Sequence, residues 1–236
     1  MDILLFIGAA LGGYLVCGIN PAIVISKLVY KQDIRTLGSG NAGFTNFKRN
    51  FGHKWAWWVL LFDLLKAAVV IAVFAMLFGF FSKLGSPAVH FDSTAFRFGA
   101  AYTGFFCVIG HSFPAYYKFK GGKGFLVTMS LVWFMDWRVG LLALGVFMVL
   151  LFTVHIMSLS SILSMLLCPI VLVVEHSISG TWTGLEIAAV SVYGATVLLM
   201  SLRHSENIAR IFAGTEKKFY LFGKKGKKEI QQKEEK

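Results

Sequence analysis

The sequence predicts an all-α fold, a polytopic membrane helix bundle with seven transmembrane helices, the N-terminus outside and the C-terminus in the cytoplasm. Composition is the first observation, because 56% of the 236 residues are hydrophobic and 15% are charged, whereas soluble domains carry about 25% charged residues. Several apolar runs also approach the roughly 20 residues that a bilayer-spanning helix needs. Finally, most Lys and Arg residues fall in loops on one side of the expected bundle.

Seven apolar runs are expected to form the spans. We expect the first run to be retained as a helix, because Met1-Asp2 lacks the positive charge that begins a signal peptide. The fourth run is too short to cross a bilayer alone, and the polar turn Asp136–Arg138 divides it from the fifth, so five or six spans are the alternative. The expected spans are residues 3–26, 55–81, 96–113, 124–135, 138–157, 160–177 and 184–202.

Charge distribution predicts the orientation of the bundle. With seven spans, nineteen of the 23 Lys and Arg residues lie on the side of the first loop, the third-to-fourth loop and the C-terminal tail, and only Lys83, Arg97 and Arg138 lie opposite. The positive-inside rule makes the first side cytoplasmic. We expect a membrane-embedded domain over residues 1–216 and a flexible basic cytoplasmic tail over residues 217–236, because the end of the tail is charged and almost without large apolar residues.

Charge and cysteine content also limit the partners. The net charge is +11. In a chain this apolar, we expect the cations to flank the spans and contact anionic lipid, so the expected partners are membrane lipids rather than nucleic acid. Cys17, Cys107 and Cys168 lie far apart inside apolar runs, without the spacing of a disulfide framework or a metal site. We therefore expect neither a bound metal nor a cofactor, and the sequence leaves the oligomeric state open.

The first of three polar segments, here called the glycine segment, spans Leu37–Asn46. Its glycines permit positive φ and allow backbone N–H groups to converge on a small anion. An ordinary glycine-rich turn is the alternative, and the Walker pattern of nucleotide loops is absent. The residues expected to bind an anion, with Ser39 also a candidate catalytic residue, are Arg35, Ser39, Gly40, Asn41, Gly43, Thr45, Asn46 and Arg49.

The lysine segment, Phe119–Gly124, places lysines around paired glycines just before the next span. A lysine ammonium is a compact charge on a flexible stem and suits phosphate. Anchoring of the next helix at the membrane surface would explain the lysines but not the glycines. The residues expected to bind phosphate, with Lys123 also a candidate catalytic residue, are Lys120, Gly121, Gly122, Lys123 and Gly124.

The histidine segment, Arg203–Arg210, follows the last span. His204, Asn207 and Arg210 recur every three residues, which places them on one helix face. An imidazole has a pKa near neutrality and can accept a proton, so His204 and Asn207 are candidate catalytic residues. Arg203 and Arg210 are expected to bind substrate. A polar amphipathic helix at the membrane surface is the alternative.

Two features inside the spans complete the set. Asp63 and Lys66 share a helix face in the second span, where ionisable residues are costly and often functional. A structural ion pair is the alternative for them. Ser158 begins the sixth span on the cytoplasmic side, where its hydroxyl either contacts a ligand or caps the helix. We include Ser158 among the expected substrate-binding residues.

Together these segments resemble the bacterial acyl-phosphate:glycerol-3-phosphate acyltransferase family of integral membrane enzymes. The matching motifs occur in family order from residue 33 to residue 216 and so cover most of the chain. They are Asp33–Arg35, Gly38–Asn46 with Arg49, Asp63–Lys66, Gly110–Pro114 with Phe119–Gly124, Ser158–Ser161, Arg203–Arg210 and Ala213–Glu216.

The resemblance implies seven spans in the bacterial cytoplasmic (inner) membrane and an active site that faces the cytoplasm. It implies transfer of a fatty acyl group from acyl-phosphate to the 1-hydroxyl of sn-glycerol-3-phosphate, which gives lysophosphatidic acid and phosphate in the first acylation of phospholipid synthesis. Neither acyl-CoA nor acyl-carrier protein is then a direct donor. Acyl-phosphate is already activated, so no acyl-enzyme is expected.

For this reaction, Ser39, the amides around Gly40 to Gly43 and the lysine segment would hold the phosphates. His204 would orient or deprotonate the attacking hydroxyl with help from Asn207. Three positions depart from the common family pattern: Phe44 replaces alanine, Phe125-Leu-Val replaces a smaller run, and His155 replaces arginine.

The alternative function is a membrane transporter of a small organophosphate or phosphate anion. It predicts charged groups deep in several spans and an inverted repeat, whereas we find Asp63 and Lys66 there and no clear repeat. A non-catalytic lipid-binding scaffold, the third class, would not require glycine segments together with His204. The His-x4-Asp pair of conventional acyltransferases is absent from the sequence.

Overall fold

The computed structural model describes residues 3–81 and 93–221, and within these ranges the chain is helical and contains no β-strand. Residues 222–236, most of the predicted tail, lie outside the described residues. Short 3-10 turns occur at Ile34–Thr36 and Ala115–Tyr117. The α-helices are α1 Ile3–Gly18, α2 Pro21–Tyr30, α3 Phe44–Phe51, α4 His53–Phe81, α5 Ser93–Ser112, α6 Phe125–Met135, α7 Trp137–Val154, α8 Met157–Ser179, α9 Gly184–Leu202 and α10 Ser205–Phe212.

The all-helical membrane fold predicted from the sequence is confirmed. Among the described residues, five helical segments are long and apolar enough to cross a membrane: Ile3–Tyr30, α4, α7, α8 and α9. The other two expected spans coincide with α5 and with α6, which has 11 residues. The count of seven spans and the orientation of the termini stay predictions.

The first expected span, residues 3–26, is divided into two helices. Asn20 begins α2, since its side-chain oxygen accepts a hydrogen bond from the backbone N–H of Ile23 at 3.1 Å. Pro21 then occupies the first turn, where its missing N–H costs nothing. The other expected turn, at Asp136, separates α6 from α7, and the Asp136 carboxylate accepts a hydrogen bond from the N–H of Arg138 at 2.7 Å.

Helix α5 lies at the centre of the bundle, where it packs against α1, α4, α6 and α9. Small residues allow this close packing, as is usual where membrane helices meet. A Cβ built on Gly110 would lie 2.2 Å from the carbonyl oxygen of Tyr14 in α1, and one on Gly13 would lie 2.9 Å from the carbonyl oxygen of Thr103. These glycines bring the backbones of α1 and α5 into direct contact.

A buried ionic cluster lies where the break after α1 meets α4 and α5. The ammonium of Lys66 lies 2.7 Å from the Asp63 carboxylate, donates to the carbonyl of Ile19 at 2.8 Å, and lies 3.1 Å from Nδ1 of His111. The expected pair in the second span therefore has a third member on α5. Because Ile19 lies just before Asn20, the cap of α2, Lys66 also provides a hydrogen-bond donor for a backbone carbonyl between α1 and α2.

We expect Gly110→Ala to destabilise the fold by about 1–3 kcal/mol or more, because the methyl group would overlap the Tyr14 carbonyl and separate two helices. Gly194→Ala on α9 is the matched control, since a Cβ at that position would have no atom within 4 Å. It should be neutral or stabilising by up to about 1 kcal/mol. Thermal unfolding in detergent, followed by tryptophan fluorescence, measures both. Equal midpoints for the two variants would contradict the close α1–α5 contact.

Candidate functional site

The glycine segment is organised by the buried side chain of Asn46. Its amide oxygen accepts a hydrogen bond from the N–H of Ser39 at 3.1 Å, and its amide nitrogen donates to the carbonyls of Leu37 and Asn41, each at 3.0 Å. Gly38 has φ of +57°, and a Cβ there would lie 2.4 Å from the Asn46 amide oxygen. Asn46, expected to bind substrate, therefore uses its amide to shape the loop.

Backbone donors in this segment are fewer than the glycine content suggests. The N–H of Gly40 donates to Leu37, and the N–H of Gly43 donates to Asn41. Together with the amide of Ser39, three expected anion donors are thus used within the loop. Ser39 and Gly40 are exposed at the rim, whereas Asn41, Gly43 and Thr45 are half-buried. Ser39, the candidate catalytic residue of this segment, is therefore accessible at the surface.

The lysine segment lies directly against the end of α5. The N–H of Gly121 donates to the carbonyl of Ser112 at 3.2 Å, and that of Gly122 donates to the carbonyl of His111 at 3.0 Å. A Cβ on Gly121 would lie 2.0 Å from the His111 oxygen, and one on Gly122 would lie 2.2 Å from His111 Nε2. The paired glycines are therefore required by a close backbone approach, and they fix the position of Lys123.

Arg35 lies just before the glycine segment and contacts the backbone at the start of the lysine segment. Its guanidinium forms a bidentate ion pair with Asp33, with Nη2 at 2.7 Å and Nε at 3.0 Å from the carboxylate oxygens, and Nη1 donates to the carbonyl of Tyr117 at 2.8 Å. The hydrogen bonds from Arg35 hold the pKa of Asp33 well below its usual range. Arg35, expected to bind substrate, thus holds the two segments in register.

The histidine segment provides an imidazole in a defined tautomer. His204 is 5% exposed, and its Nδ1 lies 2.8 Å from the carbonyl oxygen of Met200. Because a carbonyl can only accept, Nδ1 carries the proton and Nε2 is left as an acceptor. Burial, together with the positive charge of Lys123, lowers the pKa of His204 to about 4. The ring is therefore neutral at physiological pH.

Lys123 and Asn207 connect the lysine and histidine segments. The Lys123 ammonium donates to the side-chain oxygen of Asn207, and it has two further protons to offer an anion. Burial, aided by the positive charge of Arg210, lowers the pKa of Lys123 to about 8, although Glu206 and Glu216 oppose the shift. The structure thus brings together two candidate residues that are distant in sequence.

Glu216 is the residue that motif analysis left out of the candidate site. Its carboxylate accepts hydrogen bonds from Asn207 Nδ2 at 2.6 Å, Arg210 Nε at 2.7 Å and Ser158 Oγ at 2.9 Å. Burial alone would raise the pKa of Glu216, but these three donors lower it. The sequence signal for Glu216 was the motif Ala213–Glu216, which ends in this acid. In the structure, Gly214 of that motif has φ of +69°.

Three further cations that were predicted to bind substrate, Arg49, Arg203 and Lys120, make other contacts or are exposed. Arg49 Nη2 donates to the backbone carbonyl of Lys217 at 3.0 Å. The guanidinium of Arg203 lies 4.8 Å from the centroid of the Phe113 ring, and its buried Nε has no hydrogen-bond partner within the part of the chain that the structure describes. Lys120 has an exposed side chain. Among the described residues, no hydrogen bond joins the glycine segment directly to Lys123 or His204.

Chemically, the arrangement combines a cation with a neutral acceptor. Lys123, beside Arg210, can bind a phosphate oxygen, and Nε2 of His204 can accept a hydrogen bond from a hydroxyl nearby. Gly122 brings the glycine segment alongside, since a Cβ there would lie 3.0 Å from the carbonyl oxygen of Ala42. The geometry is suited to a phosphate-bearing alcohol.

Comparison with known proteins agrees with this chemistry. The family model described as glycerol-3-phosphate acyltransferase matches residues 7–214. A glycerol-3-phosphate acyltransferase of Ureaplasma urealyticum is 30% identical over 97% of this chain and 96% of its own length. The crystal structure of PlsY (YgiH), an integral membrane glycerol 3-phosphate acyltransferase in its glycerol 3-phosphate form, is 28% identical, with a TM-score of 0.76 over 91% of this chain and 96% of that one. Its lysophosphatidic acid form has a TM-score of 0.72, covering 91% of this chain and 95% of that one.

We expect the His204 ring to remain neutral, with the proton on Nδ1, from about pH 8 down to about pH 5, because its pKa is lowered to about 4. Nitrogen NMR of protein labelled with ¹⁵N-histidine reports both the tautomer and the titration, and His204→Gln identifies the signal. A His204 signal that titrates between pH 6 and 7, or a proton on Nε2, would contradict the site geometry.

Proposed function

The chain belongs to the glycerol-3-phosphate acyltransferase family, and on that premise we propose that it transfers a fatty acyl group from acyl-phosphate to the 1-hydroxyl of sn-glycerol-3-phosphate. The products are lysophosphatidic acid and inorganic phosphate. The observation that carries the proposal is the pairing of Lys123 with Asn207 beside the neutral, Nε2-accepting imidazole of His204. One group suits a phosphate, and the other suits the hydroxyl that attacks.

The proposed reaction requires no acyl-enzyme. The hydroxyl oxygen of glycerol-3-phosphate attacks the carbonyl carbon of the acyl-phosphate, an ester bond forms, and the bond between that carbon and the phosphate oxygen breaks. The electron pair of that bond leaves with the phosphate. Binding both substrates in one geometry lowers the barrier through prepaid entropy, and the cations stabilise charge on the phosphates.

The pKa of His204 supports a role as orienting acceptor. With its pKa near 4, the ring is a weaker base than a phosphate group, whose second pKa is about 6. Before attack, the hydroxyl would therefore be held by a hydrogen bond to Nε2 of His204. As the ester bond forms, its one proton would leave this hydrogen bond and go to the departing phosphate. Asn207 contributes by placing the ammonium of Lys123. Of the two roles foreseen for His204, orientation is the one we propose.

We assign the two phosphates to different walls of the site. Lys123 and Arg210 would contact one phosphate from the side of the histidine segment. The Ser39 hydroxyl, with the amide of the half-buried Asn41, would contact the other from the glycine segment. Ser158 and Glu216 would support the first wall through the carboxylate hydrogen bonds. By the positive-inside rule, this site faces the cytoplasm of the bacterial cell.

Purified protein supplied with radiolabelled glycerol-3-phosphate is expected to form lysophosphatidic acid with palmitoyl-phosphate and none with palmitoyl-CoA, because the site is proposed to bind the leaving group as a phosphate. Ser39→Ala, Lys123→Ala and His204→Ala should each lower turnover by about 10²-fold or more, and Lys54→Ala, an exposed lysine outside the site, should not. Product from palmitoyl-CoA would refute the donor assignment. Uptake of glycerol-3-phosphate into proteoliposomes without product would favour the transporter alternative.

The proposed role of Lys123 also predicts a pH profile. The ammonium is charged below about pH 8 and neutral above it, so kcat/KM, which reports the free enzyme, should fall as pH rises through about 8. An arginine keeps its charge, and Lys123→Arg should move this fall to higher pH even if it lowers the maximum. Initial rates from pH 6 to pH 10 at low glycerol-3-phosphate measure it. An unchanged alkaline limb in Lys123→Arg would contradict the role.

A further inference from the structure

The described chain continues for five residues beyond Glu216, and this stretch, Lys217–Leu221, is here called the strap. It is docked rather than free: Phe219 is 3% exposed, and its N–H donates to the carbonyl of His155 at 2.7 Å. His155 ends α7, so the strap reaches the corner between α7 and α8. It extends beyond the residues that the family model covers.

Helix α3 holds the strap from the opposite side. The ammonium of Lys48, a residue only 8% exposed, donates to the carbonyls of Tyr220 at 2.8 Å and Leu221 at 2.7 Å, and it lies 4.5 Å from the centroid of the Phe219 ring. A buried charge is costly without partners. The strap carbonyls are the hydrogen-bond partners of Lys48.

Aromatic contacts complete the docking. The Phe44 ring lies 6.0 Å from the Phe219 ring in an edge-to-face arrangement, and the His155 ring lies 4.7 Å from the Tyr220 ring. The strap is therefore packed against aromatic rings from two directions, Phe44 on α3 and His155 at the end of α7.

We propose that the strap is a positioning element of the active site, and that Lys48 is a positioning residue that fastens its far end, while Arg49 donates to the carbonyl of Lys217 at 3.0 Å. Glu216 immediately precedes the strap, and its carboxylate holds Asn207, Arg210 and Ser158. With the strap fastened at α3 and at the α7–α8 corner, the backbone at Glu216 has little freedom. Lys48 thereby acts on the Lys123–Asn207 pair without touching substrate, an inference that rests on the proposed function for its kinetic consequences.

A double-mutant cycle on kcat/KM for glycerol-3-phosphate tests the proposal. Lys48→Met should lower kcat/KM about tenfold, and Lys48→Arg, which can still donate to two carbonyls, should restore it to within about threefold. If Lys48 acts through Glu216, Lys48→Met should have almost no further effect in a Glu216→Gln background. Lys54→Met is the matched control. Losses that multiply in the double mutant would overturn the proposal.

Two measurements need no acyl donor and separate this inference from the proposed function. Trypsin should cleave after Lys217 and Lys218 at least about tenfold faster in Lys48→Met and in Phe219→Ala than in the wild type, because docking protects the strap. The ¹⁵N signal of His204 should shift alike in Lys48→Met and Glu216→Gln. Wild-type cleavage rates in both Lys48→Met and Phe219→Ala would overturn the strap's role even in an active enzyme. A His204 signal that shifts in Glu216→Gln but does not move in Lys48→Met would overturn it as well. If the wild type makes no product, the proposed function fails, and the cleavage rates and the His204 signal then decide whether the strap positions the site.

Discussion

The site depends on the approach of the lysine segment to the end of α5, which is closer than any side chain would permit. Gly121 and Gly122 donate their amides to the last carbonyls of that helix, and the ring of His111 lies directly against Gly122. Lys66 and Asp63 contact the same ring from within the bundle. Since unpaired polar groups are expensive in lipid, this ionic cluster has few alternative arrangements. The position of Lys123 thus follows from charges buried beneath it.

The helical architecture was largely predictable, because the apolar runs are long and separated by polar turns. The count of seven crossings stays a prediction. Helix α5 owes its low apolarity to Gly and polar residues that serve its central position, and α6 has 11 residues. Hydropathy measures what a lipid-facing helix needs, whereas these helices are surrounded mainly by protein. The division of the first run at Asn20 was likewise hidden, since a polar cap is a single residue in an oily stretch.

The structure brings Lys123 against Asn207, but motif spacing could not tell a substrate-binding cation from a structural one. Arg35 and Arg49 satisfy backbone carbonyls and carboxylates of the chain itself, and sequence does not distinguish such acceptors from phosphate oxygens. Glu216 was not predicted as a site residue, because charge alone makes an acid unfavourable beside an anion site. Its value lies in three hydrogen bonds that exist only after the tertiary fold has formed.

The hydrogen bond from His204 to Met200 also completes the end of α9. The backbone N–H of His204 turns to Ser201 at 2.9 Å, so the carbonyl of Met200 loses its usual helical donor and takes the imidazole instead. One side chain therefore completes a helix end, and the same hydrogen bond sets the direction in which Nε2 points. An engineer who wished to graft this histidine onto another scaffold would have to transplant the helix terminus with it, because the ring's orientation is a property of that terminus.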